Sequence, residues 1–106
     1  MKNLNISEIP EKELAKGITG RYAHSKNITI GFVNIIKGSV LPAHSHMHEQ
    51  TTQIISGKLE MTIGDITKIL EPGEITIIPS NVVHSAMALT DCVVTDTFYP
   101  VREDYK

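Results

Sequence analysis

Three of the five histidines in this chain of 106 residues fall within five positions, His44-Ser45-His46-Met47-His48. On an extended strand, side chains at i and i+2 point the same way, so His44 and His46 would present two imidazoles to one face. That spacing suits two ligands of one metal ion, and a third ligand must come from elsewhere in the chain. His84 is the candidate. It follows Pro79-Ser80-Asn81, and its same-face neighbours along a strand would be Ala86 and Ala88. Small residues beside a histidine leave room for something bound. By parity Gln50 shares a face with Thr52 and Ile54, which makes its amide oxygen a candidate fourth ligand. Glu49 is the alternative if the register shifts by one. His48 is expected to be a neighbour of the site, not a ligand.

The elements that must position these residues read as β. The first 17 residues are the most charged part, and Glu11–Lys16 suggests a short helical turn ended by Gly17. From Ile18 onward, segments rich in Ile, Val and Thr alternate with Gly, Pro, Asn and Asp. Strands are expected at 28–36, 50–56, 58–63, 66–70, 75–78, 82–89 and 92–99, about eight short strands in all. Gly64-Asp65 is a hairpin turn, and Glu71-Pro72-Gly73 is a second turn with Pro setting φ and Gly permitting φ > 0. Pro100 should end pairing and release the tail. No long helix competes, so the pattern predicts an all-β sandwich or barrel.

Length and composition narrow the function classes. A chain of this size suits one domain spanning 1–106, and roughly two-thirds of its extended surface can be buried. Ten basic and twelve acidic residues give a formal net charge of −2, which attracts neither nucleic acid nor an anionic membrane. Cys92 is the only cysteine, so no internal disulfide forms, and it reads as a small buried hydrophobe. The N-terminal stretch lacks the apolar segment of a signal peptide, and no apolar run approaches the ~20 residues that span a bilayer. A soluble, cytoplasmic protein is the expectation.

Two longer spacings carry a resemblance. Gly38-x5-His44-x-His46-x3-Gln50-x6-Gly57 and Gly73-x5-Pro79-x4-His84 resemble the two cupin motifs, with Gln50 where the first motif usually has Glu. Asn81 stands where the second often has Gly, and Asn tolerates the left-handed conformation, so the turn survives. Ala88 replaces a frequent Asn. The resemblance implies a cupin barrel (a double-stranded β-helix or jelly roll) with its core at about 28–100, and homodimerisation. It also implies one divalent transition metal ion held by His44, His46, Gln50 and His84, with Zn, Ni, Fe, Mn and Cu all open.

The C-terminal Asp96-x-Phe98-x-Pro100-x-Arg102-x-Asp104-Tyr105 adds a second constellation. Asp96 and Phe98 share a face of the last strand. An acid, an aromatic wall and a guanidinium suit a small anionic sugar acid: proton transfer, ring packing and carboxylate pairing. Together with the histidines, this tail resembles the KdgF family of pectin and alginate breakdown. That resemblance implies conversion of 4,5-unsaturated monouronates to the linear 5-keto-4-deoxyuronate, with Asp96, Phe98 and Arg102 as catalytic residues. Two other readings remain: another metal-dependent cupin enzyme, such as a dioxygenase or sugar isomerase, and a non-catalytic metal or small-molecule binding module.

Overall fold

The computed structural model describes residues 1–106. Ten strands run in chain order: β1 (Lys12–Ala15), β2 (Ile18–His24), β3 (Thr29–Ile35), β4 (Val40–His44), β5 (Glu49–Ser56), β6 (Leu59–Ile63), β7 (Ile66–Leu70), β8 (Ile75–Ile78), β9 (His84–Ala88) and β10 (Cys92–Tyr99). They form a six-stranded sheet, β1-β2-β3-β10-β5-β8, and a four-stranded sheet, β4-β9-β6-β7. Every pairing is antiparallel. The two sheets face each other as a jelly roll.

Alternation along each strand decides what lies between the sheets. β10 is the central strand of the larger sheet, between β3 and β5. Its inward residues meet their partners in rungs. Val94 lies beside Val33 and Ile54, Asp96 beside Gly31 and Thr52, and Phe98 beside Thr29 and Gln50. On the opposing sheet Ala88 pairs with Leu59, Ala86 with Met61 and Leu41, and His84 with Ile63 and His44. The buried apolar core, including Ile18, Val33, Ile35, Ile54, Leu59, Cys92 and Val94, fills one end of this hollow.

Several expectations need correction. Residues 11–16 are not helical. Lys12–Ala15 pairs with β2, and Gly17 (φ 81°) makes the hairpin between them. Pairing along β2 overrides the local helix preference of Glu, Lys and Ala. The N-terminal helical turn lies earlier, at Ile6–Glu8, where the Asn5 side chain accepts from the Ser7 N–H. The strand count is ten, because β1, β2 and β4 add to the seven segments expected from the sequence. Beyond Pro100 the tail leaves the sheet as expected and closes in a second 3-10 turn, Glu103–Tyr105. Asn81 adopts φ 65° in the turn before β9.

Candidate metal centre and the acid beside it

His44 ends β4 and lies directly opposite His84, the first residue of β9. Their rings are 4.2 Å apart, centroid to centroid. His46 lies beyond β4, in the turn leading to β5, so the same-strand argument does not apply to it. Its ring reaches the site nevertheless, 4.9 Å from His84 and 5.8 Å from His44. A neighbouring turn holds it there: the Asn81 N–H donates to the His46 carbonyl at 2.8 Å, and the Ser80 hydroxyl donates to the Met47 carbonyl.

All three rings are oriented by their own backbone. His44 Nδ1 meets the Pro42 carbonyl at 2.8 Å, His46 Nδ1 the His48 carbonyl at 3.0 Å, and His84 Nδ1 the Val82 carbonyl at 2.9 Å. A carbonyl only accepts, so each Nδ1 carries the proton and each Nε2 presents a lone pair. The ligand atoms of His44, His46 and His84 all lie within 4.8 Å of one another. His84 Nε2 is buried with no hydrogen-bond partner. Burial lowers the pKa of His46 and of His84, which favours the neutral form that a metal ligand requires.

Gln50 is the candidate fourth donor. Its Nε2 donates to Thr52 Oγ1 at 2.9 Å and to Asp96 Oδ1 at 3.2 Å, which fixes Oε1 on the other side, 3.0 Å from His46 Nε2. With the His46 proton on Nδ1, two lone pairs face each other across that 3.0 Å gap. A cation between them relieves the conflict. Two donors each about 2.1 Å from one ion, at a right angle, lie roughly 3.0 Å apart. The donor chemistry therefore fits a metal ion held by three neutral imidazoles and a neutral amide. Glu49 is exposed on the outer face, whereas Gln50, Thr52 and Ile54 are buried on the inner one. His48 stays outside the cluster, its ring 6.4 Å from Phe98 and its carbonyl orienting His46.

Asp96 faces the same hollow. Its Oδ1 accepts from Thr52 Oγ1 at 2.7 Å and from Gln50, while Oδ2 makes no hydrogen bond within the chain. Burial pushes its pKa up to about 6, against the opposing pull of the Thr52 and Gln50 donors. Phe98 is buried with its ring edge-on to His46 at 5.8 Å. Arg102 is also buried. Its guanidinium lies 4.9 Å from the Phe98 ring and 3.9 Å from the Tyr105 ring, and it forks onto Asp104 through Nε (3.0 Å) and Nη2 (2.7 Å). Hydrogen bonding from Arg102 holds the Asp104 carboxyl below the usual range.

The sequence reading gave no individual role to Thr29, His24, Asp104 or Tyr105. Asp104 and Tyr105 were within reach, since they belong to the tail motif. Thr29 carried no signal, because a buried Thr on a β-rich strand reads as ordinary core.

Between Gln50, His84 and Asp96 and the apolar core lies a cavity of about 40 Å³, lined also by Val33, Met61 and Val94. It has room for a water-sized molecule but not for a six-carbon ring.

Residues 31–98 match the family described as "Cupin domain", and the chain belongs to the cupin family. Among solved structures it resembles KdgF from Halomonas sp., at 28% identity, with 94% of each chain covered and a TM-score of 0.87. An RmlC-like cupin from Shewanella frigidimarina matches at 23% identity, over 94% of this chain and 91% of that one, with a TM-score of 0.88. A variant of oxalate decarboxylase from Bacillus subtilis matches at 20% identity and a TM-score of 0.84, over 92% of this chain but 29% of that one. These last two likenesses speak to fold alone. No curated protein sequence matches the chain. No helix is long and apolar enough to cross a membrane.

Proposed function

We propose that this cupin is a metal-dependent enzyme that opens the ring of 4,5-unsaturated monouronates to give the linear 5-keto-4-deoxyuronate. The observation that carries the reading is Asp96. One of its oxygens is tied by Gln50 and Thr52 and the other is free toward the hollow, on the same strand face as Phe98. The likeness to KdgF from Halomonas sp. supports it.

His44, His46, His84 and Gln50 would hold the ion, which supplies a Lewis acid to polarise substrate oxygens and anchor an anionic ligand. The inner cavity is too small for the sugar, so the ring lies at the mouth, with Phe98 as the apolar wall behind His46. Arg102 receives the C6 carboxylate on the guanidinium edge that Asp104 leaves free. The substrate is an enol ether, with its C4=C5 bond conjugated to C6 and bearing the ring oxygen. Asp96 Oδ2 delivers a proton to C4, directly or through water, and water adds at C5. The proton released by the adding water returns to Asp96, and the proton of the C5 hydroxyl passes to the ring oxygen as the bond from C5 to that oxygen breaks. This leaves a ketone at C5 and a hydrated aldehyde at C1, which sheds water. The sum is an isomerisation: water enters and leaves, and no electrons are exchanged.

The test is incubation with pectate lyase or alginate lyase products reduced to unsaturated monomers. Loss of absorbance from the conjugated double bond, faster than in a protein-free control, is the expected result. An unchanged rate in the metal-loaded protein rejects the assignment. One observation favours a second reading, oxygen chemistry: the apolar cavity beside His84 has the size for a diatomic molecule. Oxygen consumption with Fe(II) would select it.

Self-association of two copies would cover the exposed Ile66, Ile69, Ile75 and Ile77 on β7 and β8, and solution mass by light scattering tests it.

A further inference from the structure

Arg102 is carried by a segment outside both sheets, so something other than strand pairing must hold it. Its backbone N–H donates to Thr29 Oγ1 at 2.8 Å. Thr29 is wholly buried and sits between Phe98 on β10 and His24 on β2. The Thr29 hydroxyl meets His24 Nδ1 at 2.8 Å, and His24 Nε2 meets the Tyr105 carbonyl at 3.3 Å. One proton order satisfies all three contacts. The Arg102 amide donates to Thr29, the Thr29 hydroxyl donates to His24 Nδ1, and His24 Nε2–H donates to Tyr105. The chain of bonds closes on the 3-10 turn Glu103–Tyr105, bracketing Arg102 and Asp104 from behind.

The front of the guanidinium is fixed as firmly. Phe98 and Tyr105 set its plane, and Asp104 grips the Nε/Nη2 edge. A guanidinium has five donors in a rigid fork, so Asp104 leaves the Nη1/Nη2 edge available for a second carboxylate. Nη1 makes no hydrogen bond in the chain and is not sealed from solvent.

We propose that Asp104 and the His24–Thr29 pair are positioning residues: they touch no ligand, yet hold Arg102 with one fork edge presented to an incoming carboxylate. The inference rests on Arg102 as the carboxylate receptor of the proposed function. It adds that the receptor's strength is set from β2, β3 and the terminal turn.

Two readouts on the full zinc-loaded chain separate this claim from that reading. The first is the NMR signal of the Arg102 Nε–H, assignable because Arg21 is the only other arginine. Slow solvent exchange is expected in the parent protein, at least tenfold faster exchange in Thr29→Val and Asp104→Asn, and recovery in Thr29→Ser. The second is affinity for galacturonate against its methyl ester. Thr29→Val, His24→Ala and Asp104→Asn should each weaken galacturonate at least tenfold, leaving the ester and the bound zinc unchanged, and Thr29→Ser should restore it. Unchanged Nε–H exchange in Thr29→Val overturns the positioning claim whatever the ligand. Tighter galacturonate binding in Asp104→Asn also overturns it, making Asp104 a competitor. If Arg102→Met binds galacturonate as the parent does, the functional reading fails instead, and the exchange data still decide the positioning claim.

Discussion

The two ends of the barrel interior are built from the same strands and differ in almost every other respect. At one end the rung Val33–Val94–Ile54 faces Leu59 and Ala88, and no polar side chain intrudes. Two and four residues further along β10, the rungs hold Asp96 with Thr52, and Phe98 with Thr29 and Gln50, facing His84. The first end gains stability from buried apolar surface. The second carries a part-buried acid, an unpartnered imidazole nitrogen on His84 and a paired guanidinium, each costly to bury. Apolar core and candidate site are thus segregated along one axis, and the segregation can be tested by damaging one end while measuring the other.

The largest separation is expected from Asp96→Asn. General acid–base groups contribute typically ~10²–10⁴ in rate, so turnover of the unsaturated uronate should fall by that order, with metal content by elemental analysis unchanged. Full turnover in that variant removes Asp96 from the chemistry. The reverse experiment is Ile54→Ala at the apolar end. Ile54 is 1% exposed, and the truncation should cost about 2–5 kcal/mol in urea unfolding while kcat per folded molecule stays within about twofold.

A third experiment uses Asp96→Asn on chelator-treated protein. The folded pKa of Asp96 is raised from 3.8 to about 6, so its stabilising contribution is complete below 3.8 and lost as pH rises through 6. The asparagine variant should therefore be more stable than the parent at pH 8, by up to about 3 kcal/mol, with the difference shrinking toward pH 4. Equal urea midpoints at pH 8 would mean the mouth is not under electrostatic strain. The smallest effect concerns the histidines. His46 and His84 have lowered folded pKa values, so their contribution is present above the unfolded value of 6.5 and lost as pH falls below it. Thermal scans of the metal-free parent from pH 7.5 to 5.5 should show that decline, and saturating zinc should oppose it.

The polar end was the more legible of the two in the sequence. Parity groups Ile54 with Gln50 and Thr52 and so prefers Gln50 over Glu49, whereas most of the apolar end had no residue-by-residue reading. His84 was legible because Ala86 and Ala88 share its face. His46 was reached through the wrong premise: the strand stops at His44, and the ring arrives on a turn instead. β1 pairs locally, across the Gly17 hairpin, but the helix preference of Glu, Lys and Ala in residues 11–16 masked that signal, so β1 read as helix. Arg102 was recognised, but its partner was not. A fork closing onto a residue two positions away depends on the 3-10 turn that follows, and nothing in the residue types announces that turn.

The fastening of His46 has a consequence of its own. Of the four candidate donors, His44, Gln50 and His84 ride on strands whose register is fixed by neighbours, while His46 hangs from a turn latched to the turn at Ser80-Asn81. Lengthening either turn by one residue would displace a single donor while every donor stays in the chain. The geometry offered to an ion, and hence which ion fits best, is in this fold adjustable by insertion as readily as by substitution.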